Sequence, residues 1–215
     1  MLVLDITDAE RAAAKSYAKS LRTAHKKTSL NLRPEVIGRL GETKLLQHLA
    51  SVEIEALDNN AVHGFGDDGI DLAYRGIGID VKAIDWECNK VRLLVKATDW
   101  AERRWVQIYV GGKIDYHCHK IDFMGFCFRE DLRRHSPIPS VFGYENYWTY
   151  LKDLRPMDGL AGVLKNFGCD RYLPDKLSGM CRSYIDGLIC GYCARADKKF
   201  CCLEEPHCYY LHGKG

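Results

Sequence analysis

Apolar and polar residues alternate along two neighbouring stretches near the middle of the chain. In the second stretch, Ile79 and Val81 flank Asp80. In the first, Asp71 stands between two apolar residues. Successive side chains of a strand point to opposite faces, so this period of two predicts a pair of β-strands. The Gly-Ile-Gly sequence at residues 76–78 is expected to supply the turn of a hairpin.

Two stretches before this hairpin have the composition and spacing of α-helices. Residues 8–24 are rich in Ala, Lys, Arg and Leu after an aspartate that can cap a helix, which predicts an accessory helix at the surface. Apolar residues recur at helical spacing over residues 34–49, and Pro34 suits the first turn of such a helix. Glu42 lies on this second predicted helix.

Short runs of β-branched and aromatic residues predict further strands on both sides of the hairpin. One precedes it and three follow it, at residues 53–57, 91–95, 105–110 and 123–128. The strand at 105–110 is expected to end at Gly111 and Gly112, and the last strand leads into a predicted helical turn. A helix followed by these strands predicts an α/β core. Residues 140–189 show no clear period, so their relation to the core stays open.

The composition is that of a water-soluble globular protein. The chain has 215 residues, of which 47% are hydrophobic and 28% are charged. It contains no run of about 18 apolar residues, the length that a membrane helix needs, so we expect no membrane span. The first ten residues carry acids and no continuous apolar segment, which predicts an intracellular protein, cytoplasmic or nucleoid-associated. The net charge is only +2, although basic residues occur in clusters.

The predicted hairpin gathers groups that suit a metal site. Asp80 and Lys82 share one face of their strand because they are two residues apart, and Asp71 is expected to project the same way from the partner strand. Mg²⁺ or Mn²⁺ takes oxygen ligands, so the two aspartates and the Val81 carbonyl are candidate ligands, with Glu42 adding a direct or water-mediated contact. Lys82 would orient an attacking water or help to deprotonate it. Such a site hydrolyses phosphodiester bonds.

Three segments resemble the PD-(D/E)xK nuclease superfamily. They are Gly-Arg-Leu-Gly-Glu ending at Glu42, Gly-Ile-Asp-Leu around Asp71, and Ile-Asp-Val-Lys-Ala from Ile79. The resemblance covers roughly residues 34–130 and implies a restriction-endonuclease-like core, a helix with a mixed central sheet. It also implies that Asp71 and Asp80 are metal ligands, that Glu42 is an auxiliary ligand, and that Lys82 is the catalytic lysine.

This resemblance predicts a divalent-metal-dependent nuclease that acts on DNA rather than RNA, because the superfamily mostly cuts DNA. Two alternatives stay open. One is a nucleic-acid-binding protein without catalytic activity, and the other is a Holliday junction resolvase, which would act as a homodimer on branched DNA.

Cysteines are concentrated at the carboxyl end of the chain. Seven of the ten cysteines fall from Cys169 onward. The interior of a cell is reducing, so we expect the clustered cysteines to bind a metal rather than to form disulfides. Three thiolates and one imidazole form a closed tetrahedral Zn²⁺ site, and a short segment with little apolar content needs such a metal to fold.

One set of four residues has the spacing C-x8-C-x5-C-x3-H, which resembles the CCCH zinc-finger family: Cys193, Cys202, Cys208 and His212. That resemblance implies stacking of aromatic side chains on single-stranded RNA bases, so single-stranded DNA or RNA stays open as a partner. Neighbouring residues offer alternative ligands, namely Cys190, Cys201 and His207. An iron–sulfur cluster is a further alternative, held by Cys181, Cys190, Cys193 and Cys201.

The sequence thus predicts four segments along the chain. They are an accessory helix at 1–33, a nuclease core at 34–139, an extension or linker at 140–189, and a zinc finger at 190–215.

Overall fold

The computed structural model of the protein describes residues 2–24, 31–59, 70–75, 77–86, 91–103, 106–115 and 117–167. In chain order the elements are β1 (Leu2–Asp5), α1 (Asp8–Ala24), α2 (Arg33–Ser51), β2 (Leu57–Asp58), β3 (Leu72–Tyr74), β4 (Ile77–Asp85), β5 (Arg92–Lys96), α3 (Ala97–Glu102), β6 (Val106–Ile114), β7 (Lys120–Phe128), β8 (Ile138–Pro139), β9 (Glu145–Tyr150) and α4 (Asp158–Phe167). Two short 3-10 helices, Arg129–Arg134 and Leu151–Asp153, follow β7 and β9.

The strands form two sheets. Six of them make a mixed sheet in the order β1-β7-β6-β4-β3-β2, and β5-β9-β8 make a smaller antiparallel sheet. In the large sheet β4 and β6 are parallel, whereas its other neighbouring strands are antiparallel. Parallel strands need a long crossover connection, and here β5 and α3 lie in that connection. The mixed α/β class predicted from the sequence is confirmed.

Helices α1 and α2 cover one face of the large sheet. Helix α2 lies directly on β4: a Cβ placed on Gly41 would come within 2.8 Å of the Ala83 Cβ and 3.1 Å of the Val81 Cγ1. Ala14 and Ala18 of α1 are buried in the same apolar core. This close approach fixes α2, and therefore Glu42, against the central strand of the sheet.

The small sheet covers part of the opposite face. Leu93 and Val95 of β5 pack with Tyr109 of β6 and Cys127 of β7 in a second apolar cluster. Strand β9 pairs along the full length of β5, and α4 contributes Leu160 to the first core. The chain after residue 140, which showed no clear period, therefore supplies both a strand and a helix to the packed structure.

Several predicted elements are confirmed and others are wrong. Both long helices and the helical turn at 129–134 are confirmed. The hairpin is confirmed, since β3 and β4 are antiparallel neighbours, but its turn does not include Ile77 and Gly78, which already pair with β3 as part of β4. The strand at 53–57 is also wrong: Glu53 has a left-handed backbone with φ of 62°, and β2 is only Leu57–Asp58.

The strand predicted to stop at two glycines continues through them. Strand β6 runs to Ile114, and both glycines are closely packed. A Cβ on Gly111 would lie 2.9 Å from the Leu154 Cδ1, and one on Gly112 would lie 3.2 Å from the Ile121 Cδ1. These glycines allow close packing on both faces of the sheet rather than ending a strand.

Strand β7 begins at Lys120, and it is followed by two further strands that the sequence did not predict. Strand β1, helix α3 and helix α4 were not predicted either. Within the described part of the chain, no helix has the length and apolar character needed to cross a membrane.

Candidate active site

Asp80 and Lys82 form an ion pair on one face of β4. The Lys82 Nζ lies 2.6 Å from the Asp80 carboxylate. Asp80 is only 3% exposed, while Ile79 and Val81 belong to the apolar core beneath α2. The predicted division of this strand into an apolar face and a charged face is therefore confirmed. A buried carboxylate this close to an ammonium is largely charge-compensated.

Asp71 makes two hydrogen bonds to β4. It precedes β3, and its N–H donates a hydrogen bond to the Ile79 carbonyl at 3.1 Å. Its Oδ2 accepts the Val81 N–H at 2.6 Å. The carboxylate is therefore anchored to the backbone between Asp80 and Lys82, and its projection in the same direction as Asp80 stays a prediction.

The Val81 backbone faces Asp71. Because the N–H and C=O of one strand residue point to the same side, the Val81 carbonyl faces Asp71 as its N–H does. The predicted use of this carbonyl as a metal ligand is therefore compatible with the direction of the strand.

Glu42 reaches the site from α2 and is held by an arginine. The Arg39 Nη1 donates to the Glu42 Oε2 at 3.0 Å. The same guanidinium bridges to Asp58 at the sheet edge, with distances of 3.2 and 2.5 Å. Arg39 thus positions the Glu42 carboxylate and compensates its charge.

The three carboxylates act on one another electrostatically. Burial raises the pKa of Asp71 well above its usual range, and the negative charges of Asp80 and Glu42 raise it further. Burial also raises the pKa of Glu42, and Arg39 offsets part of that rise. For Lys82, burial lowers the pKa, but the charges of Asp80 and Asp71 outweigh it and leave the ammonium favoured. The site thus combines three carboxylates with two cations, Lys82 and Arg39.

The donor set fits a divalent cation. Carboxylate and carbonyl oxygens are the ligands that Mg²⁺ and Mn²⁺ take, and mutual repulsion among carboxylates favours a bound cation. Among the described residues, no three carboxylate, imidazole or thiol groups already converge on one point as a ready metal site. The reason lies in their present partners: Asp80 faces Lys82, Asp71 faces the Val81 N–H, and Glu42 faces Arg39.

Three further residues border the site and were not singled out from the sequence. The ring of Tyr17 on α1 lies 4.9 Å below the Arg39 guanidinium, and burial together with Glu42 raises its pKa. Tyr109 stands opposite Asp80 in the register between β4 and β6. The positive charge of Arg103, at the end of α3, acts on Lys82 and on Tyr109. No local motif marks these residues, since only the tertiary fold brings them here.

The predicted tail site lies outside the described residues, with all of its ligands and their alternatives. Its metal stays a prediction.

We compared the chain with protein-family models, with curated proteins and with solved structures, and none of the three comparisons found a match.

Proposed function

We propose that this protein is a divalent-metal-dependent nuclease that hydrolyses phosphodiester bonds, in DNA rather than RNA. One observation carries the proposal, the gathering of three carboxylates and a lysine on and around β4. Asp80 pairs with Lys82 at 2.6 Å, Asp71 accepts the Val81 N–H at 2.6 Å, and Glu42 lies on α2, which packs on this strand. This donor set suits Mg²⁺ or Mn²⁺. The finer assignment to a restriction-endonuclease-like core is part of the same proposal.

Each residue has a role that follows from its position. Asp71, Asp80 and the Val81 carbonyl would hold the cation, with Glu42 as an auxiliary contact turned by Arg39. When bound, such a cation withdraws charge from the phosphate oxygens and makes water more acidic. Lys82, held 2.6 Å from Asp80, would orient the attacking water and take part in its deprotonation.

Lys82 can accept a proton only as a neutral amine. Its ammonium is paired with Asp80, and the charges of Asp80 and Asp71 raise the pKa of Lys82. A cation held by these carboxylates would offset their charge, so the pKa of Lys82 would fall and the neutral amine would be more populated. That amine could then take a proton from the attacking water.

The test is cleavage of labelled single-stranded, double-stranded and branched DNA, and of RNA, with Mg²⁺, Mn²⁺ or EDTA. Asp80→Asn keeps the size of the side chain and removes its charge. We expect metal-dependent products from the wild type and none from this variant. Asp122→Asn is the matched control, because Asp122 is equally buried, at 3% exposed, but lies on β7.

Full activity in Asp80→Asn would overturn the assignment. Binding of nucleic acid without product from any substrate, in every metal tested, would favour the binding protein instead. Products only from branched DNA, made by a dimer, would favour the junction resolvase. The zinc-binding tail is proposed to assist nucleic-acid binding or to stabilise the carboxyl end, and removing Zn²⁺ should weaken one of these two properties.

A further inference from the structure

The turn between β8 and β9 presents two apolar side chains to solvent. Val141 is 94% exposed and Phe142 is 80% exposed, more than any other large apolar residue in the described part of the chain. An exposed phenylalanine beside an exposed valine has no role in the core. Two such side chains next to each other form a small apolar surface that a partner could cover.

The turn itself is well ordered by hydrogen bonds. The Ser140 N–H donates to the Tyr144 carbonyl at 2.7 Å, and the Ser140 Oγ accepts the Phe142 N–H at 3.1 Å. Gly143 has a φ of 82°, a conformation that suits glycine. The turn therefore holds Phe142 outward in a defined position, which lowers the entropy lost when it binds a partner.

An aromatic ring and a lysine stand directly behind this tip. The rings of Phe142 and Tyr144 are stacked at 6.1 Å and 16°. The Nζ of Lys96, an exposed residue, lies 5.1 Å from the centre of the Tyr144 ring. The surface formed by Phe142, Tyr144 and Lys96, here called the hairpin tip, thus combines π-faces with positive charge.

The hairpin tip is linked to the candidate active site through the chain that follows β5. Lys96 ends β5 and directly precedes α3, which leads to Arg103. Arg129 donates to the Arg103 carbonyl at 2.9 Å, and its guanidinium lies 4.0 Å above the Trp100 ring. Cations therefore lie before α3, at Lys96, and after it, at Arg103, whereas α3 itself carries the acidic Asp99 and Glu102.

The small sheet also packs on the face of the large sheet that carries Asp80. Val95 of β5 and Tyr109 of β6 share one apolar cluster, and Tyr109 is the register partner of Asp80.

We propose that the hairpin tip binds single-stranded nucleic acid, with a base stacked on Phe142 and a phosphate paired with Lys96. Single strands are held by this combination of aromatic faces and cations, because every base has a π-face. The inference rests on the proposed function, since it takes the substrate to be a nucleic acid. It adds that a single-stranded segment of the substrate binds outside the site of cleavage.

The experiment measures binding of a labelled oligothymidine by fluorescence anisotropy, in the full chain carrying Asp80→Asn so that cleavage does not interfere. Phe142→Ala removes the stacking face, and Phe142→Trp retains it. Val91→Ala is the matched control: Val91 is 61% exposed and lies at the other end of β5 from Lys96.

We expect Phe142→Ala to weaken binding of the single strand by about 5- to 100-fold, which is the range for loss of one stacked base. Phe142→Trp and Val91→Ala should bind as the parent does. Lys96→Gln should lower the slope of log affinity against log salt by about 0.7, the value for one phosphate contact on a single strand. A duplex of the same sequence should be affected less by Phe142→Ala.

If Phe142→Ala binds the oligothymidine as the parent does, binding at the hairpin tip is refuted. Cleavage by the wild type would still support the proposed nuclease activity. An equal loss on duplex would overturn the preference for single strands. Concentration-dependent dimers that dissociate in Phe142→Ala, with unchanged DNA affinity, would show that the tip binds a second copy of the chain instead. A protein that cuts nothing but binds oligothymidine through Phe142 would support the tip and refute the nuclease.

Discussion

Strand β4 presents two different surfaces to the rest of the molecule. On one face Ile79, Val81 and Ala83 pack beneath α2, where there is no room for a Cβ on Gly41. On the other face the buried Asp80 carboxylate pairs with Lys82, whose side chain is 31% exposed. The first face is held by van der Waals contact, which tolerates little change in volume. The second depends on charge, and it tolerates changes in shape better than changes in the number of charges.

The largest expected effect on activity comes from a substitution on the charged face of β4. Lys82→Arg keeps a cation beside Asp80, so the buried carboxylate stays paired and the fold is expected to be retained. A guanidinium stays protonated near neutral pH and cannot accept a proton from water, so we expect the cleavage rate to fall by about 10²- to 10⁴-fold. The measurement is the single-turnover rate, with Lys113→Arg on β6 as control. Wild-type cleavage by Lys82→Arg would remove proton transfer from the role of this residue.

The apolar face is tested by two identical substitutions one helical turn apart on α2. In Gly41→Ala the new methyl group meets Ala83 at 2.8 Å, and we expect the free energy of unfolding to fall by about 1–3 kcal/mol. In Gly38→Ala the nearest atom is the Glu42 Oε1 at 4.0 Å, so better helix propensity should raise stability by about 0.5–1 kcal/mol. Urea denaturation measures both, and equal values for the pair would refute direct contact of α2 with β4.

Substitution of Asp71 should raise the stability of the protein and abolish its activity. Burial and the charges of Asp80 and Glu42 raise its pKa, so the folded state favours the protonated carboxyl. In metal-free protein this carboxyl therefore lowers stability as pH rises from the ordinary aspartate range through the raised pKa. We expect Asp71→Asn to be more stable than wild type at neutral pH, equal to it in acid, and inactive. Denaturation at several pH values in EDTA provides the comparison.

Asp122→Asn again serves as the control for Asp71→Asn, because burial raises the pKa of Asp122 without a second carboxylate among the causes. A gain in stability as large as that of Asp71→Asn would mean that burial alone, and not the carboxylate cluster, is responsible.

The smallest expected effect concerns Arg39, which lowers the pKa of Glu42. In Arg39→Gln that pKa rises further, so the acid limb of the pH–rate profile should move to higher pH. Arg133→Gln, which removes an exposed arginine paired with Glu130, should leave the profile unchanged. An unshifted limb in Arg39→Gln would show that Glu42 does not need to ionise for activity.

The two faces of β4 also differ in how far the sequence predicts them. Alternation of side chains is local, so the separation of Asp80 and Lys82 from Ile79 and Val81 follows from the strand alone. The position of Asp71 depends instead on where β3 stops pairing with β4, which no short pattern encodes. The approach of Tyr17 and Arg103 depends on how α1 and α3 pack, so the sequence did not reveal them.

The errors in the fold have related causes. Gly78, Gly111 and Gly112 were interpreted as turns or strand ends, but all three lie within strands. At Gly111 and Gly112, close neighbours leave no room for larger side chains. Strand β9 was missed because both of its faces carry aromatic residues, such as Tyr147 and Trp148, so polar and apolar positions do not alternate. Tertiary packing decided each of these cases.

The electrostatic interaction of Glu42, Asp71 and Asp80 has a consequence for how the stability of the protein depends on divalent ions. A cation that binds only the folded chain stabilises it by mass action, in proportion to the logarithm of its concentration above the dissociation constant. Melting temperature would then report which ion binds, and how tightly, without any substrate. In a cell, the supply of that ion would control how long the protein survives proteolysis as well as how fast it works.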